Sequence, residues 1–314
     1  MNLENIWEKH ISVLLEELVN SVVIFKNKKN IIVDATLWMA WHAIRIIEKM
    51  NKWDIFIGFD ADDRNLKLAK ERLKDVRNDV EIIFINSNFV NLKEELEKRW
   101  IKEITWIYYD LWISSLHVDE AERWFSFKLD WPLDMRFDIN SGKSAEHIIN
   151  HYSKDDLIKI FRDYWEEPSS RKIAEKIVER RKAKRITTTK ELSDIIWEIS
   201  KFPKSKNRIF QALRIETNKE LETLEKSLKD SISLLKEKWS IFVISFHSLE
   251  DRIVKNVFKN ESRTCNCKDL ICSCKKTSLI KIITKKPIIP TNEEIERNPR
   301  SRSAKARFAI KFKS

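Results

Sequence analysis

Glycine is almost absent from this chain, and its absence constrains the fold more than any other feature. The 314 residues include 2 glycines, Gly58 and Gly142, against 12 tryptophans; ordinary usage predicts roughly 20 glycines. A large α/β protein turns many times, and tight turns need residues that tolerate positive φ. The tryptophans stand where such turns belong: Trp53 in NKWD, Trp239 in KEKWS ahead of an apolar run, and Trp131 in DWPLD. An indole is a poor turn former, and glycine suits all three places. The pattern is that of UGA codons translated as tryptophan but read as glycine in the source. A genuinely tryptophan-rich chain is the alternative.

Apolar runs alternate with helical stretches. Ile31–Asp34, Ile55–Asp60 and residues 80–85, 104–109 and 241–245 read as buried strands. The stretch through Ile11, Val13, Leu14, Leu15, Leu18 and Val19 reads as a helix, as do His42–Met50 and 63–74. Strands separated by helices predict an α/β fold with a parallel sheet and right-handed crossovers. From about 118 to 215 long charged helical patterns replace the strands. The expected division is an α/β domain from 1–117 and 216–314, with an all-helical insertion at 118–215. The tail from 275 to 314, rich in Lys, Arg, Ser and Pro, reads either as a segment lying along RNA or as a solvated terminus.

A net charge of +11 suits a polyanionic partner, because each phosphate contact releases counterions; it also serves plain solubility. No apolar run approaches the roughly 18–20 residues that span a bilayer, which predicts no membrane partner. The opening MNLENIWEKH has neither the basic start nor the apolar core of a secretion signal. All 4 cysteines fall between 265 and 274, which is no framework for a secreted fold. The cytoplasm is the expected location. Cys265, Cys267, Cys272 and Cys274 form two close thiol pairs, suited to tetrahedral zinc or to remaining reduced.

Strand, acid, loop and helix at 31–42, followed by strand and acid at 55–60, form the layout of a nucleotide-type cofactor site beyond the carboxyl ends of the strands. Asp60 can accept both ribose hydroxyls of an adenosyl group. The loop at 35–41 must let backbone approach the ligand, so glycine is wanted there. Asp110 ends a third strand, and three acids converge on one crevice. Methyl transfer to an exocyclic amine needs a polar group to direct the nitrogen lone pair and take up its proton. Asp110 is the candidate for that role, with donor binding alone as its other reading. His247 lies between two serines but lacks a triad partner or nucleophile elbow, leaving RNA positioning or shaping of the acceptor pocket, or a structural role. Arg123, Arg136, Arg214 and Arg252 are candidate phosphate contacts or ion-paired surface residues.

The chain resembles the ribosomal RNA small subunit methyltransferase H family nearly end to end. The blocks that carry the resemblance are His10–Glu17, Val33–His42, Asp110–Ser115, Asp119–Phe127, Asp130–Arg136, Phe210–Ile215, Ser245–Arg252 and Glu296–Ala304. It implies a Rossmann-like class I methyltransferase sheet with an inserted all-helical domain for RNA recognition. It implies S-adenosylmethionine as donor and N4-methylation of a cytidine in the decoding region of 16S rRNA, within the small ribosomal subunit. By position it places donor contacts on Ala40, Trp41, His42, Asp60, Phe89, Asp110 and His117. Two of these depart from the family pattern: Ala40 stands for a usual glycine, and His117 follows Leu116 where Pro-Gln is common. Trp38, Trp41, Trp53, Trp106, Trp112, Trp124, Trp131, Trp165 and Trp239 each fall on a family glycine. If the indoles at 38 and 41 are genuine, the alternative is a non-catalytic RNA-binding assembly factor. A DNA or small-molecule amine methyltransferase fits the 119–136 block less well.

Overall fold

A computed structural model describes residues 11–112, 130–137, 142–265 and 276–312. The chain divides into two units, 1–112 with 223–314, and 113–222. The first is built on a seven-stranded sheet: β1 (Ile31–Asp34), β2 (Ile55–Asp60), β3 (Glu81–Asn86), β4 (Ile104–Asp110), β5 (Leu235–Ser245), β6 (Ile280–Ile282) and β7 (Lys305–Lys311). Its order is β3-β2-β1-β4-β5-β7-β6. The first five strands run parallel, and β7 lies antiparallel between β5 and β6. This is the strand order of a class I methyltransferase sheet.

Successive residues of a strand face opposite sides, and both sides of this sheet are covered. Ile32, Phe56, Tyr108 and Phe242 pack on one side with α1 (Leu15–Ser21), α2 (Trp41–Lys49) and α3 (Asp63–Leu73). Their neighbours Val33, Ile57, Tyr109 and Val243 pack on the other with α4 (Leu92–Glu97), α10 (Glu220–Leu234) and α11 (Ser248–Glu261). Burial on both faces is why the strands read as continuous apolar runs rather than alternating ones.

The second unit holds α5 (Ala145–His151), α6 (Lys154–Trp165), α7 (Ser170–Ala183), α8 (Thr189–Ile199) and α9 (Pro203–Asn218) around a core of its own. Three of its five helix starts carry side-chain caps. Ser144 and Ser153 each accept from the third backbone N–H onward, and Thr188 forms a reciprocal box with Glu191. No described helix is long and apolar enough to cross a membrane.

Within residues 276–312 the basic tail is not a solvated terminus but part of the sheet unit. β6, α12 (Asn292–Arg297) and β7 complete the sheet, with β7 pairing β5 from Ser240↔Ile310 to Ser245↔Lys305. Ala306 and Ala309 turn inward, and the buried Arg307 is held by Asp251 at 2.6 and 3.2 Å. Three cations among its seven residues, Lys305, Arg307 and Lys311, and alanine at its two most buried positions give β7 too little apolar signal to stand out in the sequence.

Backbone geometry separates the tryptophans. Trp38, Trp53 and Trp100 have φ of 54°, 72° and 60°, the left-handed region that favours glycine. Trp53 sits in the turn between α2 and β2, its N–H donating to Asp79. Trp100 closes α4 in the left-handed position that commonly follows a helix, with Ile101 N–H returning to the Leu96 carbonyl. Sequence alone does not single out Trp100. Trp41, Trp106, Trp112, Trp131, Trp165 and Trp239 are not among the positive-φ residues, and Trp124 lies outside the described residues. Trp106 is fully buried, and its Nε1 has no hydrogen-bond partner among the described residues.

Candidate active site

The sheet order reverses between β1 and β4, and ligands of open α/β sheets lie beyond the carboxyl ends of strands at such a point. Asp34, Asp60 and Asp110 end β1, β2 and β4 there. The loop from Ala35 to Ala40 passes over them and is pinned on both sides. Ala35 N–H donates to the Tyr108 carbonyl at 3.0 Å and Leu37 N–H to the Phe59 carbonyl at 2.8 Å. Gly58 makes room for this loop: a Cβ there would lie 2.5 Å from the Leu37 side chain.

Each acid has a distinct environment. Asp34 is buried, accepts from Thr36 N–H at 2.9 Å and takes a short hydrogen bond from the Tyr108 hydroxyl. Burial pushes its carboxyl up to about 8, although both hydrogen bonds pull the other way. Asp60 accepts from Asp62 N–H at 2.7 Å, Trp38 N–H at 2.9 Å and the Asn65 amide at 3.2 Å. Burial raises its carboxyl to about 6, so it is ionised at neutral pH and able to accept hydroxyls. Asp110 is raised by burial and pulled back by the His42 charge. Its Oδ1 has no hydrogen-bond partner among the described residues.

The remaining expected contacts surround these acids. Ala40 is buried with φ of 61° directly ahead of α2, so a family glycine is replaced here by a residue holding glycine's conformation. Trp41 and His42 open α2, whose first backbone N–H groups lack partners within the helix. The Trp41 ring stacks beneath the Arg72 guanidinium at 3.2 Å. Phe89 begins a short turn at Phe89–Asn91, its ring edge-on to Tyr109 at 5.7 Å and its carbonyl accepting from Ser227 at 2.9 Å. His117 and Arg123 lie outside the described residues.

Three more sequence candidates have other partners, and a fourth is exposed. His247 caps α11: it accepts from Glu250 N–H at 3.4 Å, and its Nε2 meets the Glu250 carboxylate at 2.9 Å. Arg214 is buried and bound at both ends of its fork by Glu220, at 2.7 and 2.9 Å. Arg136 is paired with Asp134 at 2.7 and 2.8 Å. Arg252 is exposed. Of the cysteines, Cys265 is half-buried, while Cys267, Cys272 and Cys274 lie outside the described residues.

The donor set fits an adenosyl sulfonium ligand except at one place. Asp60, the buried, unpartnered Oδ1 of Asp110 and the start of α2 suit hydroxyls, an amine and a carboxylate respectively. The Trp38 side chain does not suit such a ligand: while its backbone N–H binds Asp60, its indole Nε1 reaches the Asp110 carbonyl at 3.3 Å. The ring thus lies across the crevice between β2 and β4.

Sheet order and strand-end acids define the class, an α/β methyltransferase. The chain belongs to the MraW methylase family, whose profile matches residues 8–312. It is 46% identical over 311 residues to "Ribosomal RNA small subunit methyltransferase H" of Clostridioides difficile, covering 96% of this chain and 99% of that one. The protein of the same name from Caldicellulosiruptor saccharolyticus is 46% identical over 310 residues, covering 97% and 99%. A solved rRNA methylase from Streptococcus thermophilus superposes with a TM-score of 0.42 at 8% identity, covering 95% of this chain and 94% of that chain.

Proposed function

We propose that the chain transfers the methyl group of S-adenosylmethionine to the N4 amine of one cytidine in the decoding region of 16S rRNA. The single observation that carries this reading is the convergence of Asp60 and Asp110 on the loop ahead of α2. The names of the curated relatives support an rRNA substrate in the small subunit. The donor supplies an electrophilic methyl on its sulfonium. Asp60 holds the ribose hydroxyls, and the first N–H groups of α2, at Trp41 and His42, hold the carboxylate. Ala40 and Phe89 complete the donor contacts. Asp110 Oδ1 accepts an N–H of the acceptor amine, turns its lone pair toward the methyl and then takes up the proton. The helical unit would grip the RNA.

The working chain carries glycine at positions 38 and 41 and at the other family glycines, with Trp100 added by its backbone conformation. An indole at 38 and a bound donor compete for one space. A second reading, a non-catalytic assembly factor, is favoured only by that indole. The test is incubation of the glycine-bearing chain with labelled S-adenosylmethionine and small subunits lacking the modification. N4-methylcytidine at one position of 16S rRNA is expected. Subunit binding with no transfer would establish the second reading instead.

A further inference from the structure

Two sequence blocks at opposite ends of the chain, 10–17 and 296–304, have no evident part in donor chemistry, yet in the fold their neighbourhoods meet. Leu14 N–H donates to Glu294 Oε1 at 2.8 Å, and the Asn298 amide donates to the Ile11 carbonyl at 2.9 Å. Leu14 is fully buried with φ of 51°, a conformation that L-residues avoid and that persists only where surrounding structure imposes it. Next to this bend, the Val13 carbonyl meets His42 Nε2 at 3.0 Å.

That contact fixes the ring. A carbonyl oxygen only accepts, so Nε2 carries the hydrogen. The other nitrogen, Nδ1, faces Asp110 Oδ2 at 3.4 Å. A ring held as Nε2–H turns a lone pair toward a carboxylate unless one proton lies between them. One proton therefore lies between Nδ1 and Oδ2, and Asp110 Oδ1 is left to accept the amine.

We propose that Glu294, the strained Leu14 and the Val13 carbonyl form a positioning relay that sets the tautomer of His42 and, through it, the charge of Asp110. The proposal rests on the role assigned to Asp110 above. Two other groups around the pair act in the same sense. Glu250 on α11 bears on Asp110, and Glu294 on α12 bears on His42; both are acidic and favour a proton on the pair. Asp34 on β1 also lies near Asp110, but it holds its own proton up to about pH 8 and adds no charge there at neutral pH. Burial drives the Asp110 carboxyl upward, and the His42 charge is the largest influence opposing it. The Tyr108 ring stands edge-on at 6.3 Å and closes the side of the imidazole.

Three variants of the full glycine-bearing chain test this. His42→Gln keeps an amide N–H near the Nε2 position and removes Nδ1. Glu294→Gln keeps an acceptor for Leu14, and Glu294→Ala removes it. In His42→Gln the acid limb of kcat should move up by about one pH unit, a roughly tenfold loss at pH 6 that disappears by pH 9. Glu294→Ala should lower kcat about fivefold with KM for the donor unchanged within about twofold, and Glu294→Gln should restore it. Nitrogen NMR of the His42 ring reads the same relay without turnover: hydrogen on Nε2 in the parent chain and in Glu294→Gln, mixed tautomers in Glu294→Ala. An unmoved acid limb in His42→Gln, or an Nδ1–H neutral ring in the parent, overturns the proposal. Absence of methyl transfer by the parent chain overturns the proposed function instead, and the ring spectrum still decides the relay.

Discussion

Trp53 and Trp100 show most plainly what the chain asks of its turns. Both side chains are largely exposed, at 69% and 86%, so little packing is at stake, while both backbones are left-handed. That conformation costs a non-glycine residue roughly 1–2 kcal/mol. Trp53→Gly and Trp100→Gly should therefore each raise Tm by a few degrees in a thermal melt. Trp197→Gly is the control. Trp197 lies inside α8 without positive φ and under Lys201 and Lys206, so glycine there should cost about 1 kcal/mol. Stabilisation at all three positions would mean that backbone conformation is not the discriminating feature. Composition raised the glycine question, and turn context found Trp53. Trp100 stayed hidden because its helix end has no sequence marker beyond the tryptophan itself.

At the scale of elements, the carboxyl ends of β1, β2 and β4 form the candidate site, and they were legible because a buried parallel strand is an apolar run whose last residue can be an acid. What sequence could not give was how differently the three acids titrate. Asp34 is pushed up to about 8 by burial, from an ordinary value of 3.8. The folded chain then keeps a proton that the unfolded chain releases, so its stabilising contribution is full below about pH 4 and lost as pH rises through about 8. Asp34→Asn stays neutral throughout. Its Tm should exceed the parent's by a few degrees at pH 8.5 and by much less at pH 5, and an equal gain at both would contradict a buried proton on Asp34. Strand β7 escaped sequence reading for the opposite reason, since Lys305, Arg307 and Lys311 masked its inward Ala306 and Ala309. His247 caps α11, a role that cannot be told from that of a binding residue before the helix is placed.

Across the whole molecule, the end of the chain closes the sheet that the beginning starts. β7 fills the position between β5 and β6, and α12 holds Leu14 through Glu294. Removing residues 305–312 should therefore abolish cooperative unfolding in urea, whereas a mere RNA-binding tail could be removed with the melt intact. The division into a sheet unit and a helical unit was visible as a change from strand-helix alternation to charged helices. Partners of Arg136 and Arg214 were not, because an ion pair leaves no periodic trace.

The crevice at the ends of β1, β2 and β4 is proposed as a donor site that the indole blocks and glycine opens. Calorimetric titration of S-adenosylmethionine into the chain as written and into Trp38→Gly/Trp41→Gly tests it most directly. Binding by the glycine chain, at least about 100-fold tighter than by the tryptophan chain, is the predicted result. Equal affinity in the two, or no binding by either, would contradict the account.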